Sequence, residues 1–164
     1  MKLRFLLVAL FVFGSAAAHS SARPDRCIEP AAQTHRVNAD ILRAILMIES
    51  RMNPSVVTRN SNGSIDVGIA GINSIHFKEL SRFGITEREL MDPCVSTFVA
   101  AWKVSRKIAK WGNTWFAIAA YHSETPYFNG RYQIMLFNEM VRAGVVRGTI
   151  QNVPPLRRPK EIRK

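Results

Sequence analysis

Residues 38–54 read NADILRAILMIESRMNP, and this stretch decides the fold. Asn38 is a good helix N-cap because its short side-chain oxygen takes a first-turn N–H, and Pro54 stops any helix that reaches it. Between them Ile41, Leu42, Ala44, Ile45, Leu46, Met47 and Ile48 leave almost no polar stripe. A helix apolar nearly all round belongs in the centre of a domain, so a buried helix is predicted from 38 to about 51. One residue does not fit. Glu49 follows Ile48 near the C-terminal end of this segment. Burial raises a carboxyl pKa and a helix C-terminus disfavours negative charge, so a buried Glu49 would hold a proton near neutral pH, as a general acid must. The residues alone leave a second reading open, a Glu on a thin exposed stripe paired with Arg43 or Arg51.

Working outward, residues 23–36 read as an extended lead-in, and 53–64 as loop with Asn60-Ser61-Asn62-Gly63-Ser64 as a turn cluster. Residues 65–73 (IDVGIAGIN) are apolar but interrupted by Gly68 and Gly71, which predicts a small β-hairpin or irregular ribbon. A helix is expected from about 75 to 83, with Gly84 as its C-terminal cap. Thr86-Glu87-Arg88-Glu89 is a capping box opening a short helix. Residues 93–111 form a long amphipathic helix closed by Gly112. Asn113 or Thr114 caps another running to Tyr121, and a last helix covers roughly 131–143. The expectation is a mainly α domain over 23–146, built around one buried helix, with a single small β element.

The chain has 164 residues, enough for one domain with a real core. Its start reads as a targeting segment. Lys2 and Arg4 precede the apolar run FLLVALFVF at 5–13, and Ala16-Ala17-Ala18 and Ser20-Ser21-Ala22 offer two cleavage sites. A signal peptide over 1–22 is therefore expected, the run being short for a membrane span. Export into an oxidising periplasm makes Cys27 and Cys94, the two cysteines, a disulfide. No CxxC or His/Cys cluster points to a metal, and no cofactor is expected. Net charge is +11, and loss of 1–22 leaves +9, a balance that favours a polyanionic partner. An exported chain meets cell-wall polymers first, and no nucleic-acid motif is present. Residues 147–164 hold six of the basic residues and three prolines against Glu161 alone, which predicts a disordered basic tail. A monomer is expected.

The segments ILMIESRMNP (45–54), TRNSNGSIDVGIAGIN (58–73), NTWFAIAAY (113–121) and the Asp92-Pro93-Cys94 corner, in this order and spacing, resemble the lytic transglycosylases of the lysozyme-like superfamily. The resemblance covers roughly residues 27–143. It is nearest to the small exported members that accompany type III and type IV secretion, conjugation and pilus systems. It implies an α+β lysozyme-like fold and an enzyme that cuts peptidoglycan glycan strands, opening the wall locally for such a machine. Glu49 matches the family's catalytic Glu, which protonates the oxygen between N-acetylmuramic acid and N-acetylglucosamine and then deprotonates the muramic C6 hydroxyl. The product is a 1,6-anhydro sugar. By the same resemblance Ser50 orients Glu49 or a sugar acetamide. Gly68, Ile69, Ala70, Gly71 and Asn73 line the groove, and Tyr121, His122 and Tyr132 contact sugar, with core packing and a surface hydroxyl as the other reading of Tyr121 and Tyr132.

Two segments depart from the family's pattern. Gly68-Ile69-Ala70-Gly71-Ile72 stands where the family reads Gly-Leu-Met-Gln-Ile, so two long side chains that touch glycan are missing and affinity is expected to fall. Ala120-Tyr121-His122-Ser123-Glu124 stands where the family reads Ala-Tyr-Asn-Ala-Gly, and His122 would either keep a hydrogen bond there or make activity pH-sensitive. Asp66 follows Glu49 by 17 residues, the separation of lysozyme's two carboxylates, which opens a muramidase reading beside the transglycosylase one. The other reading of Asp66 is a turn residue bonded to local amides. A glycan-binding scaffold with little turnover is the third functional alternative.

Overall fold

A computed structural model of the protein describes residues 24–157. The expected signal peptide and the end of the tail, 158–164, lie outside the described residues. The lead-in is not extended. A 3-10 turn, Pro24–Cys27, runs into helix α1, Ile28–His35. Ile28, Ala31 and Ala32, spaced three and four apart, are buried on one face, and Pro30 falls in the first turn, where its missing N–H has no intrahelical partner to lose.

The central helix, α2, is Ala39–Ser50. Asn38 caps it, its side chain accepting from the Ile41 N–H at 3.0 Å. Leu42, Ala44, Ile45 and Leu46 are buried. The helix ends where Arg51 and Met52 both take left-handed backbone (φ 55 and 65), and their N–H groups close back on the Met47 and Leu46 carbonyls.

Three short strands follow: β1 Val57–Arg59, β2 Ile65–Val67 and β3 Ile72–Asn73. They form one antiparallel sheet in the order β1-β2-β3, with Thr58 opposite Asp66 and Asp66 opposite Asn73. The predicted hairpin is β2–β3. β1 falls inside the segment read as loop, because all three of its residues are exposed and it carries no apolar alternation.

The stretch expected as one helix at 75–83 is divided into a 3-10 turn Ser74–His76, helix α3 Phe77–Leu80 and a second 3-10 turn, ending at Gly84. Glu89 reaches back to the Thr86 N–H at 3.0 Å, as the capping box predicts, but the helix it opens is a single 3-10 turn, Glu89–Met91. Helix α4 is Pro93–Trp111, with Asp92 accepting from the Cys94 and Val95 N–H groups and Gly112 at its end. Helix α5, Trp115–Ala119, is capped by Thr114.

Helix α6 is Pro126–Arg142 and starts five residues earlier than expected. Asn129-Gly130 reads as a turn pair, but the buried Asn129 amide donates to the Phe116 and Ser123 carbonyls at 3.0 and 2.9 Å, which holds this turn in helix against α5. The tail also differs from expectation. Asn138 exchanges two 2.8 Å hydrogen bonds with the Gln151 backbone, Arg131 Nε donates to the Pro154 carbonyl and Tyr127 Oη to that of Pro155. Residues 151–155 therefore lie along α6, the Gln151, Pro154 and Pro155 carbonyls answered by side chains spread over about three of its turns.

The core gathers the apolar face of α2 with Val99, Ala100 and Val104 of α4, Leu136 and Met140 of α6, and Val67 and Ile72 of the sheet. The mostly helical α+β architecture is the one expected. Cys27 and Cys94 form a disulfide with Cα atoms 5.2 Å apart, tying the start of α1 to the start of α4. It closes a loop 67 residues long, and opening that loop in the unfolded chain is expected to lower stability by about 4 kcal/mol. Urea unfolding of the wild type against Cys27→Ser/Cys94→Ser checks this; a loss under ~1 kcal/mol would mean that α1 is held by packing alone.

Candidate active site

The C-terminal turn of α2 points into a cleft of about 570 Å3 between the sheet and the α5–α6 side. Glu49, Asp66, Gly71, Asn73, Tyr121 and His122 all line it, so six of the expected site residues come together. A more apolar hollow of about 520 Å3, lined by His35, Phe83, Phe98 and Trp102 among others, shares no residue with the cleft and has no carboxylate in its wall.

Glu49 is partly buried, not on an exposed stripe, and neither Arg43 nor Arg51 pairs with it. Tyr132 Oη donates to its Oε1 at 2.6 Å. Burial raises its pKa from 4.5 to about 7, against the smaller downward pulls of the Tyr132 hydroxyl and the Lys103 charge. Such a carboxyl gives up and regains a proton near neutral pH.

The ribbon between β2 and β3 is held against this carboxyl. Gly71 has φ +56, and a Cβ there would lie 3.0 Å from Glu49 Oε2. Gly68 has φ +76, and a Cβ there would lie 2.1 Å from the Leu90 carbonyl oxygen. Only glycine fits both the backbone and the space at Gly68, and at Gly71 a side chain would press on Glu49. Ser50 Oγ donates to the Ile69 carbonyl at 2.7 Å, and Tyr121 Oη to the Ala70 carbonyl at 2.6 Å.

These contacts correct several expected roles. Ile69 and Ala70 are fully buried, so their side chains face the core and the groove wall is backbone. Gly68 packs on Leu90 and Ser96, away from the cleft. Ser50 supports the ribbon carbonyl instead of a sugar. Tyr132 is 2% exposed and is spent on Glu49, not on a sugar face. His122 stacks flat on Tyr132, with ring centroids 4.8 Å apart and planes 3° apart. Burial, then Arg131, lowers its pKa from the usual histidine value, which favours the neutral ring and moves any pH sensitivity it confers to lower pH. Glu124, where the family has glycine, turns back to Lys107 and Lys110 at 2.7 and 2.8 Å.

Asp66 faces the cleft and is not the turn residue bonded to backbone amides. It lines the cleft, and its two oxygens accept from the Asn60 and Asn73 side-chain amides at 2.8 and 2.7 Å. The partners are side-chain amides brought together by the sheet, not turn backbone. Cleft residues to which the sequence reading gave no site role include Asn60, His76 and Lys103. Lys103 had a signal, since it lies four residues after Val99 and three after Ala100, on the apolar stripe of α4. Among the described residues no group of three or more His, Cys, Asp or Glu is placed to hold a metal.

The raised pKa of Glu49 has a consequence for stability. Between pH 4.5 and about 7 the unfolded carboxyl ionises while the folded one keeps its proton, so stability is lost as pH rises through this window. Glu49→Gln is therefore expected to match the wild type below pH 4.5 and to exceed it above pH 7, by up to ~3 kcal/mol at ~1.4 kcal/mol per pKa unit. Tyr132→Phe removes a bond to the ionised form, so the Glu49 pKa is expected to rise further. Denaturation at pH 4 and pH 8, with an NMR titration of the carboxyl, tests both. An advantage of Glu49→Gln that does not grow with pH would contradict the assignment.

The Transglycosylase SLT domain profile matches residues 26–125. Invasion protein IagB of Salmonella typhimurium is 37% identical over 100 residues, 60% of this chain and 62% of the relative. Protein IpgF of Shigella flexneri is 36% identical over 100 residues, 60% of this chain and 66% of the relative. The X polypeptide of Escherichia coli is 34% identical over 98 residues, 59% of this chain and 58% of the relative. The match thus spans less than two thirds of each relative's own length. The profile match contains Glu49, the sheet with its two glycines and the whole of α4, and a chain matched through these parts belongs to the Transglycosylase SLT domain family.

Proposed function

We propose that the protein is an exported peptidoglycan lytic transglycosylase that cleaves the β-1,4 bond between N-acetylmuramic acid and N-acetylglucosamine. The observation that carries this is Glu49: one carboxyl in a glycan-sized cleft, anchored by Tyr132 and poised to change protonation near pH 7. In its acid form Glu49 protonates the glycosidic oxygen as the bond to the muramic C1 breaks. The resulting carboxylate takes the proton of the C6 hydroxyl, whose oxygen bonds to C1 of the same sugar. Glu49 returns to its acid form, no water is consumed, and the product is a 1,6-anhydro ring. A single carboxyl suffices because the nucleophile belongs to the substrate, whereas hydrolysing glycosidases use two.

A backbone wall at Gly71 suits this chemistry, since it lets a sugar ring lie close to Glu49 without a side chain between. The expected periplasmic location and service to a secretion, conjugation or pilus machine belong to the same reading. The latter is in keeping with a relative that bears the name invasion protein. Asp66 favours a second reading: it shares the cleft with Glu49, held there by the Asn60 and Asn73 amides, where a muramidase's second carboxylate would stand.

Digestion of purified peptidoglycan, with products identified by mass spectrometry, separates the two. Anhydro-muropeptides are expected, while reducing ends would give the reaction to Glu49 with Asp66. Glu49→Gln is expected to lose at least ~10²–10⁴-fold in rate, and wild-type activity is expected to fall above pH 7 as the acid form disappears. Undiminished turnover by Glu49→Gln would remove Glu49 from the chemistry, and no products at high protein would leave a glycan-binding scaffold.

A further inference from the structure

The mechanism above leaves one buried cation unused. Lys103 is 9% exposed, yet it sits in the wall of the cleft with Glu49, Asp66 and His76. The other cations of α4 near it are answered: Arg106 pairs with Glu79, and Lys107 and Lys110 with Glu124. Among the described residues Lys103 has no ion pair. Its Nζ instead lies 4.5 Å from the centre of the Tyr121 ring, on a phenol already committed to the Ala70 carbonyl.

A buried ammonium without a paired carboxylate is costly, and a ring face offsets only part of that cost. The more distant charges of Glu49 and Asp66 help, but Asp66 already accepts from two amides and Glu49 is half protonated near pH 7. Burial lowers the Lys103 pKa to about 8, so it is still mostly charged at pH 7. His76 beside it is held near 4 by burial and by Lys103, and so adds no charge. Up to three N–H donors with no anionic partner therefore remain on a cation that the cleft exposes.

We propose that Lys103 is the carboxylate-recognition point of the cleft, binding the acid group that the substrate carries on its muramic residue, either the lactyl carboxylate or a carboxylate of the attached peptide stem. This rests on the reading of the cleft as a peptidoglycan site. In that polymer N-acetylglucosamine is neutral, and anionic groups occur only on the muramic units. A cation beside Glu49 therefore senses which sugar lies where. A strand displaced by one sugar would offer Lys103 a neutral unit and offer Glu49 the wrong bond. Lys103 would thus set the register of the strand and disfavour neutral polymers such as chitin.

The test uses the full chain with Glu49→Gln, so that ligands persist, and measures calorimetric affinity for four tetrasaccharides. They are the alternating muramic tetrasaccharide with free lactyl carboxylates, the same with L-alanyl-D-glutamate stems, the same with lactyl methylamides, and chitotetraose. One or both acidic ligands are expected to bind about 10-fold or more tightly than the two neutral ones, the gain a charge-assisted hydrogen bond gives. Preference for the free lactyl form or for the stem form tells which carboxylate is read. Adding Lys103→Met is expected to abolish the preference, and Lys103→Arg to keep it. Equal weakening of all four ligands by Lys103→Met, or a shifted pH profile of the single-site Lys103→Met enzyme with unchanged ligand ranking, would overturn the proposal and leave Lys103 as packing or as a counter-charge to Glu49. Equal wild-type-like binding of acidic and neutral glycans would overturn it while sparing the peptidoglycan reading. No binding of any ligand, with intact peptidoglycan after digestion, would remove that reading itself.

Discussion

The 2.6 Å hydrogen bond from Tyr132 to Glu49 joins residues 83 positions apart, and most of the site follows from the need to make it. A carboxyl withdrawn from water must be answered, and Tyr132 is the group that answers. To bring it there α6 must begin at Pro126 and be rotated so that Tyr132 faces α2. The buried Asn129 amide, one turn earlier, fixes that rotation by bonding the Phe116 and Ser123 carbonyls. The bond and the Lys103 charge favour the carboxylate, while burial favours the acid more strongly. The pKa of about 7 is the balance of these opposed effects, so it is a property of three elements and not of Glu49 alone.

The ribbon obeys a related constraint. Chain that runs close to a carboxyl and to another segment's carbonyl has no room for Cβ atoms, and Gly68 and Gly71 supply that room in left-handed backbone. Ser50 from α2 and Tyr121 from the end of α5 then take the two carbonyls between them. The residues that looked like sugar contacts are the ones holding the wall in place. The polar lining comes instead from Asn60, Asp66, Asn73, His76 and Lys103, most of them on the strands or on α4.

What could be read from the sequence was what depends on near neighbours. Asn38, Asp92 and Thr114 cap α2, α4 and α5 because a cap needs only the next three residues. The apolar surface of 41–48 required a central helix, and Glu49 at its end had to lose water. Two cysteines left one intramolecular pairing. β1 gave no signal because its residues are exposed, and the tail at 147–157 looked disordered because its partners, Asn138, Arg131 and Tyr127, are side chains of a helix that precedes it.

By itself, then, the sequence determined the helical frame, the apolar helix that carries Glu49 and the glycine positions of the ribbon, since periodicity, capping and backbone freedom are local properties. The tertiary structure alone decided who faces whom. It made Tyr132 the partner of Glu49, sent Ile69 and Ala70 into the core, lowered the His122 pKa by burial, and set Lys103 in the cleft. Each of those outcomes depends on the direction in which a side chain is buried, and direction is fixed only when helices far apart in the chain pack together.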